Sequence, residues 1–230
     1  MERFLLLWLE GALQSWGCDS RFDNRNTLDF PTRSGLSGLL LAALGASGPQ
    51  TELLERLSSA PLTVFSFAQD SLKLTDFHMV GNGYDHTSLW EKMMTPKKSD
   101  GSTPVGGGAK LTYRHYLVDR CFAAIWAMPQ DLAQDFSVAL QAPVFEIFLG
   151  RKCCIPSEMV YQGCFSSEIE AMQKLQSLAD KKSLLPQWRY REITEKECDE
   201  ETFFLADVPL RFGIHKLYSE RYVKRENFIF

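Results

Sequence analysis

The chain has 230 residues, 45% of them hydrophobic and 23% charged, which suits one large globular domain or two small ones and excludes collagen-like, disordered and coiled-coil architectures. No apolar run approaches the ~18 residues that span a bilayer, and Phe4 to Leu9 has the length of a buried strand rather than a signal-peptide core, so a soluble cytoplasmic protein with six reduced cysteines is expected. The formal charge of −4 argues only mildly against nucleic acid, because Glu192 to Glu201 holds six acids against one base while the remainder has 24 bases against 23 acids.

Arg3 to Leu9 reads as the first strand, too short and too uniformly apolar for a helix. Gly11 to Phe30 is polar and turn-rich, anchored by Trp16 and Phe22. Leu36, Leu39, Leu40, Ala43 and Leu44 then fall on one helical face, with Thr32 or Ser34 as the cap and Gly45 and Gly48 as the stop. A short helix is expected over Glu52 to Ser58, and a strand over Leu62 to Ala68. Thr75 to Leu111 is too long for a structureless insert in a compact domain, so it reads as a projecting hairpin arm with glycines 101 to 108 near its tip. Thr112 to Met128 is the next strand, Pro129 to Gln141 a helix, and Val144 to Leu149 a strand stopped by Gly150. Beyond these, Ser166 to Asp180 reads as a helix, Glu192 to Glu201 as solvated surface and Phe203 to Phe230 as short strands. The order predicts an α+β, ferredoxin-like sandwich of the kind used by RNA-recognition modules, over residues 1–150. It carries a thumb-like insert at about 78–112 and is followed by a smaller β-rich part over 151–230.

The opening of the first helix is the most informative stretch. Free N–H groups and the positive end of a helix dipole suit a phosphate, and Arg33, Ser34 and Thr32 add donors. An ordinary cap beside a solvated arginine is the plainer account. Gln14, Trp16 and Arg25 stand in the preceding loop, where the tryptophan either stacks on a base or plugs the core. Arg151 and Lys152 follow Gly150, and together with Arg33 they would form a groove for an RNA backbone. Arg114 and His115 between Tyr113 and Tyr116 suit single-stranded RNA, though plain sheets also carry such residues. In the arm, Trp90, Met93 and Met94 among Lys97, Lys98 and Lys110 suggest a wedge that meets RNA and a partner surface.

Enzyme signatures are weak. The glycine stretch lacks the Gly-Lys-Ser/Thr of a P-loop, and Cys153-Cys154 has no second pair at zinc spacing, so neither a metal nor another cofactor is expected. A metal-free ribonuclease would draw on His78, Tyr84, His86 or Lys110.

Several segments resemble a known family in order along the chain: Gln14-Ser15-Trp16-Gly17, Phe30-Pro31-Thr32-Arg33-Ser34-Gly35-Leu36, Asp76-Phe77-His78, Leu111 to Leu117, Phe148 to Cys154, Pro209 to Phe212 and Arg221-Tyr222-Val223. They are similar to the CasD-type subunit of Cascade, the fifth Cas family, in type I-E CRISPR surveillance complexes. Residues 101–108 depart from that pattern. The resemblance implies a non-catalytic subunit that grips the 5′ handle of the CRISPR RNA and caps the CasC-type backbone filament. It would also contact the CasA-type large subunit and meet invading target DNA through the assembled complex. Gln14, Trp16, Arg33, Ser34, Arg114, Arg151 and Lys152 would line the handle site, with His78 near the base of the thumb. The alternative is a metal-independent endoribonuclease that processes precursor CRISPR RNA, as in the type I-C branch.

Overall fold

The computed structural model describes residues 1–17, 23–69, 72–80, 98, 100–102 and 110–230. At its centre β1 (Glu2–Gln14) pairs antiparallel with β5 (Lys110–Pro129), from Glu2 opposite Pro129 to Gln14 opposite Leu117. Both strands are buried on both faces. Leu5, Leu7 and Leu9 pack on one side with Phe122, Trp126 and Met128, while Leu6 and Trp8 pack on the other with Cys121 and Ile125. Burial on both faces explains why Phe4 to Leu9 is apolar without alternation. The strand also runs past the expected end at Leu9. Glu10 is kept in it by the Trp8 indole, which donates to its carboxylate at 2.7 Å, and by Lys182 at 2.9 Å.

Helix α1 (Arg33–Leu44) starts where expected, with Thr32 accepting from the Gly35 amide at 3.2 Å and Gly45 closing it at φ 71°. It is followed by α2 (Thr51–Ser58) and β3 (Leu62–Phe67), which pairs antiparallel with β5. Strands β1 and β3 therefore run parallel with β5 between them. Strand β4 (Lys73–Val80) extends the other end of β5 as a two-stranded ribbon from Lys73 opposite Leu117 to Val80 opposite Lys110, and β2 (Asn24–Arg25) lies parallel to β5 on its other edge. Of the expected arm contacts, Trp90, Met93, Met94 and Lys97 lie outside the described residues, Lys98 is exposed in a tight turn with Ser102, and Lys110 opens β5. Helix α3 (Gln130–Gln141) packs beside α1 against one face of the sheet.

Residues 144–149, expected as a strand, are not one. The Val144 and Phe145 amides donate to the carbonyls of Ala43 and Ala42 at 2.9 and 3.1 Å, so this segment satisfies the free C-terminal end of α1. The place beside β1 is taken instead by β6 (Tyr161–Phe165), antiparallel to it. Helix α4 (Glu168–Lys181), capped by Ser167, covers the opposite face of the sheet with Ala171, Leu175 and Ala179. Strand β7 (Pro186–Ile193) joins β3, and the hairpin of β8 (Thr202–Arg211) and β9 (Leu217–Asn227) completes a sheet in the order β6-β1-β5-β3-β7-β9-β8. Residues beyond 150 thus extend both edges of one sheet. Among the described residues no helix is long and apolar enough to cross a membrane.

The expectation that Glu192 to Glu201 is wholly solvated fails at its first residue. Glu192 accepts from Arg33 at 2.7 Å and from Arg221 at 2.6 Å. Arg221 in turn holds both oxygens of buried Asp207, at 2.6 and 2.7 Å, and Asp207 accepts from the Arg33 backbone amide at 2.7 Å. Burial lowers the pKa of Arg33 despite Glu192; for Arg221 burial is again the largest influence, but Asp207 and Glu192 together outweigh it and raise the pKa. Removing one charge from such a cluster leaves the others uncompensated. Arg33→Ala is therefore expected to lower the unfolding free energy by about 3 kcal/mol or more in urea titration; native-like stability would contradict this role.

Candidate nucleic-acid interface

The surface around the start of α1 is built on a buried tryptophan. Trp16 is fully enclosed, its indole donating to Gln14 Oε1 at 3.0 Å and its amide to Thr27 Oγ1 at 2.8 Å. Gln14, also enclosed, donates to the carbonyls of Leu9 and Arg120 at 3.0 and 2.6 Å. A Cβ at Gly35 would lie 2.8 Å from Trp16 Cε3, so glycine is what lets the first turn of α1 rest on the indole. Beside it, Gly150 has φ 98°, and a Cβ there would lie 1.8 Å from the Ser15 carbonyl. That close approach fixes the turn which presents Arg151.

Arg151 stacks 4.7 Å above the Tyr116 ring, and its guanidinium donates to the carbonyls of Arg25 at 2.8 Å and His115 at 3.3 Å. Across from it, the tip of the β8–β9 hairpin folds back, the Phe212 amide donating to the Pro49 carbonyl at 3.0 Å. The result is a groove in two connected parts that share Ser34, Gly35, Gly150 and Phe212. One part, of about 260 Å³, carries Arg25, Arg151 and Tyr218. The other, of about 400 Å³, runs along α1 past Gly38 and Ala42, with Phe148, Glu146 and Lys216 at its walls. Cations for a backbone, hydroxyls from Ser34 and Tyr218, and aromatic walls suit a single-stranded nucleic acid.

The expected site residues divide. Arg25, Ser34 and Arg151 line the groove, and Lys152 is exposed next to it. Thr32 also borders it but is buried as the helix cap. Gln14 and Trp16 form the floor beneath and offer no free edge or ring. Arg33 requires the plainest correction: it is 1% exposed, and besides Glu192 its guanidinium donates to the carbonyls of Leu57, Ser58 and Ala60 at 2.6, 3.2 and 2.8 Å. Every donor is taken, and the anion at the start of α1 is Asp207, not a phosphate. Arg114 lies opposite Asp76 and beside Arg25, on the ribbon rather than in the groove, and His78 pairs with Thr112 further along it. Sequence reasoning missed Phe212, Lys216 and Tyr218. Their signal was an aromatic-glycine step followed by His215-Lys216 between two strands.

The ribbon has two unlike faces, because residues paired across strands share a side. Asp76, Arg114 and Arg25 occupy one. Phe77 and Tyr113, with ring centroids 5.2 Å apart, occupy the other with Met79 and Leu111, all exposed. His115 joins that second face, its ring bonded to Thr75 at 2.9 Å and Asn24 at 2.8 Å. Among the described residues no group of three or more His, Cys, Asp or Glu could hold a metal.

Under the groove, burial pushes the Cys154 thiol up to about 12, and burial also raises that of Cys121. The stabilisation tied to neutral Cys154 is complete below its unfolded value near 9 and is lost as pH rises towards about 12. Among these described cysteines, exposed Cys153 and Cys198 are expected to react with a thiol reagent at pH 8, and Cys121 and Cys154 only after unfolding. Fast labelling of Cys154 in the native protein would contradict its burial.

A solved structure titled "Crystal structure of Cas protein" shares this mixed α/β fold: it matches with TM-score 0.62 at 24% identity, over 97% of this chain and 94% of that one. A chain of a "CRISPR RNA-guided surveillance complex" matches with TM-score 0.75 at 26% identity, over 97% and 89%. The family described as "CRISPR-associated protein (Cas_Cas5)" matches residues 4–224. The chain belongs to this Cas5 family. It is also 32% identical, over 174 residues, to the CRISPR system Cascade subunit CasD of Escherichia coli (strain K12), covering 73% of this chain and 74% of that protein. This is the likeness its motifs indicated.

Proposed function

We propose that the chain is a non-catalytic subunit of a Cascade-type CRISPR surveillance complex that holds the 5′ handle of the CRISPR RNA in the groove between α1 and the β8–β9 tip. The observation that carries this reading is the convergence of Arg25, Arg151 and Lys216 with Phe212 and Tyr218 on one groove. Membership of the Cas5 family and the likeness to CasD support it. Phosphates meet the cations, bases meet the rings, and recognition of target DNA is left to guide pairing.

On this reading the strand order β6-β1-β5-β3 is a ferredoxin-like core, and the β4–β5 ribbon is the stem of a thumb. The exposed apolar patch of Phe77, Met79, Leu111 and Tyr113 meets a neighbouring protein, a CasC-type backbone subunit, while the CasA-type subunit lies near the handle. The chain acts in the cytoplasm, in defence against invading DNA.

Two measurements test this. Lys216→Ala is expected to weaken binding of a labelled single-stranded repeat RNA and to reduce the salt slope by about 0.7, one phosphate contact on a single strand. An unchanged slope, or specific cleavage of the RNA in EDTA, would overturn the reading. Phe77→Ser with Tyr113→Ser is expected to leave fold and RNA affinity intact but to prevent co-purification with the other subunits; normal assembly would remove this face from the interface.

A further inference from the structure

We infer that the apolar part of the groove is a subsite for one unstacked RNA base, and that Gly38 keeps it open. This deepens the reading above and rests on it. Glycine in the interior of a helix is destabilising relative to alanine, so it calls for a reason. Gly35 has one in its contact with Trp16. Gly38 has none of that kind: its φ lies outside the left-handed region, and a Cβ there would meet nothing within 4 Å. The space it borders is the groove itself, of about 400 Å³, walled by Leu39, Phe148 and Phe212.

Charge sets the orientation of the occupant. Arg25 and Arg151 stand in the neighbouring part, whose lining holds no carboxylate, and attract a phosphate, whereas at the wall of the apolar part Lys216 is offset by Glu146 and gives a phosphate less net attraction. A nucleotide therefore seats its phosphate beside Arg151 and its base against Gly38, Phe148 and Phe212. A flat ring suits this slot, since the small side of α1 allows close approach and the aromatic walls offer stacking. An apolar side chain from a partner protein is the competing occupant, and it would need no phosphate.

The test uses the full chain and a labelled single-stranded repeat RNA in which each nucleotide in turn is made abasic. Wild-type protein is expected to lose about tenfold in affinity at one abasic position and far less elsewhere. Gly38→Leu, which fills the slot, is expected to lose a similar factor with intact RNA and to show no further loss at that abasic position. Gly38→Ala, with an unchanged or improved melting temperature, guards against misfolding as the cause. If Gly38→Leu binds intact RNA as the wild type does, or if the abasic profile is flat, the base subsite is wrong while Lys216 sensitivity leaves the groove reading standing. If the wild type binds no RNA, or Lys216→Ala changes nothing, both fall.

Discussion

Four charges of zero net sum hold the two ends of the chain together: Arg33 and Arg221 against Glu192 and Asp207. Each answers a need that a nonpolar residue would leave unmet. The start of α1 carries free N–H groups and a positive dipole end, which Asp207 satisfies through the Arg33 amide. Buried Asp207 then requires a counter-charge, and Arg221 supplies it with two parallel hydrogen bonds. The side chain of Arg33 turns the other way, toward the carbonyls of Leu57, Ser58 and Ala60 at and just beyond the end of α2. One residue thus joins the start of one helix to the end of the next, and through Glu192 to β7.

The groove follows from that junction. With α1 tied to β8 and β9 at its first residue, the tip of the β8–β9 hairpin lies alongside the helix, where Phe212, Lys216 and Tyr218 become walls. Trp16 supports the helix from beneath through Gly35, and Gly150 lets the turn that carries Arg151 approach the Ser15 carbonyl. The groove-lining cations come from β2, the 150–154 turn and the C-terminal tip, three places separated by most of the chain. None is informative alone.

This explains what was legible in the sequence and what was not. Helix α1 could be placed from its apolar face, the Thr32 cap and Gly45, because those signals are local. The paired strands β1 and β5 announced themselves by doubly buried apolar runs. Val144 to Leu149 misled because its apolar residues look like a strand, whereas its amides serve the end of α1 and two of its side chains, Val144 and Phe145, are exposed. Strands β6 and β7 escaped because Tyr161–Phe165 is only half-buried and β7 alternates with arginines. Arg33 was singled out for a sound physical reason, a cation beside a helix start. Its actual partner, Glu192, lies 159 residues away, and no local pattern marks a residue as the counter-ion of another so distant.

The same geometry accounts for an acidic chain that offers a nucleic-acid groove. Much of the acid excess of Glu192 to Glu201 is consumed within the fold: Glu192 by Arg33 and Arg221, Glu197 by Arg191 and the Thr194 amide, Asp199 by Lys224, Glu201 by Arg225. Those contacts lie along β7 and β9, while Arg25 and Arg151 border the groove on the side of β5 marked by Tyr116. Net charge averages over both regions, whereas a short RNA segment responds to the potential within about a Debye length, ~8 Å at physiological salt. A few cations on one groove are therefore sufficient for a backbone, and the apolar Phe77–Tyr113 patch of the ribbon, turned from the Arg25–Arg114 side, suits an apolar protein surface better than a phosphate.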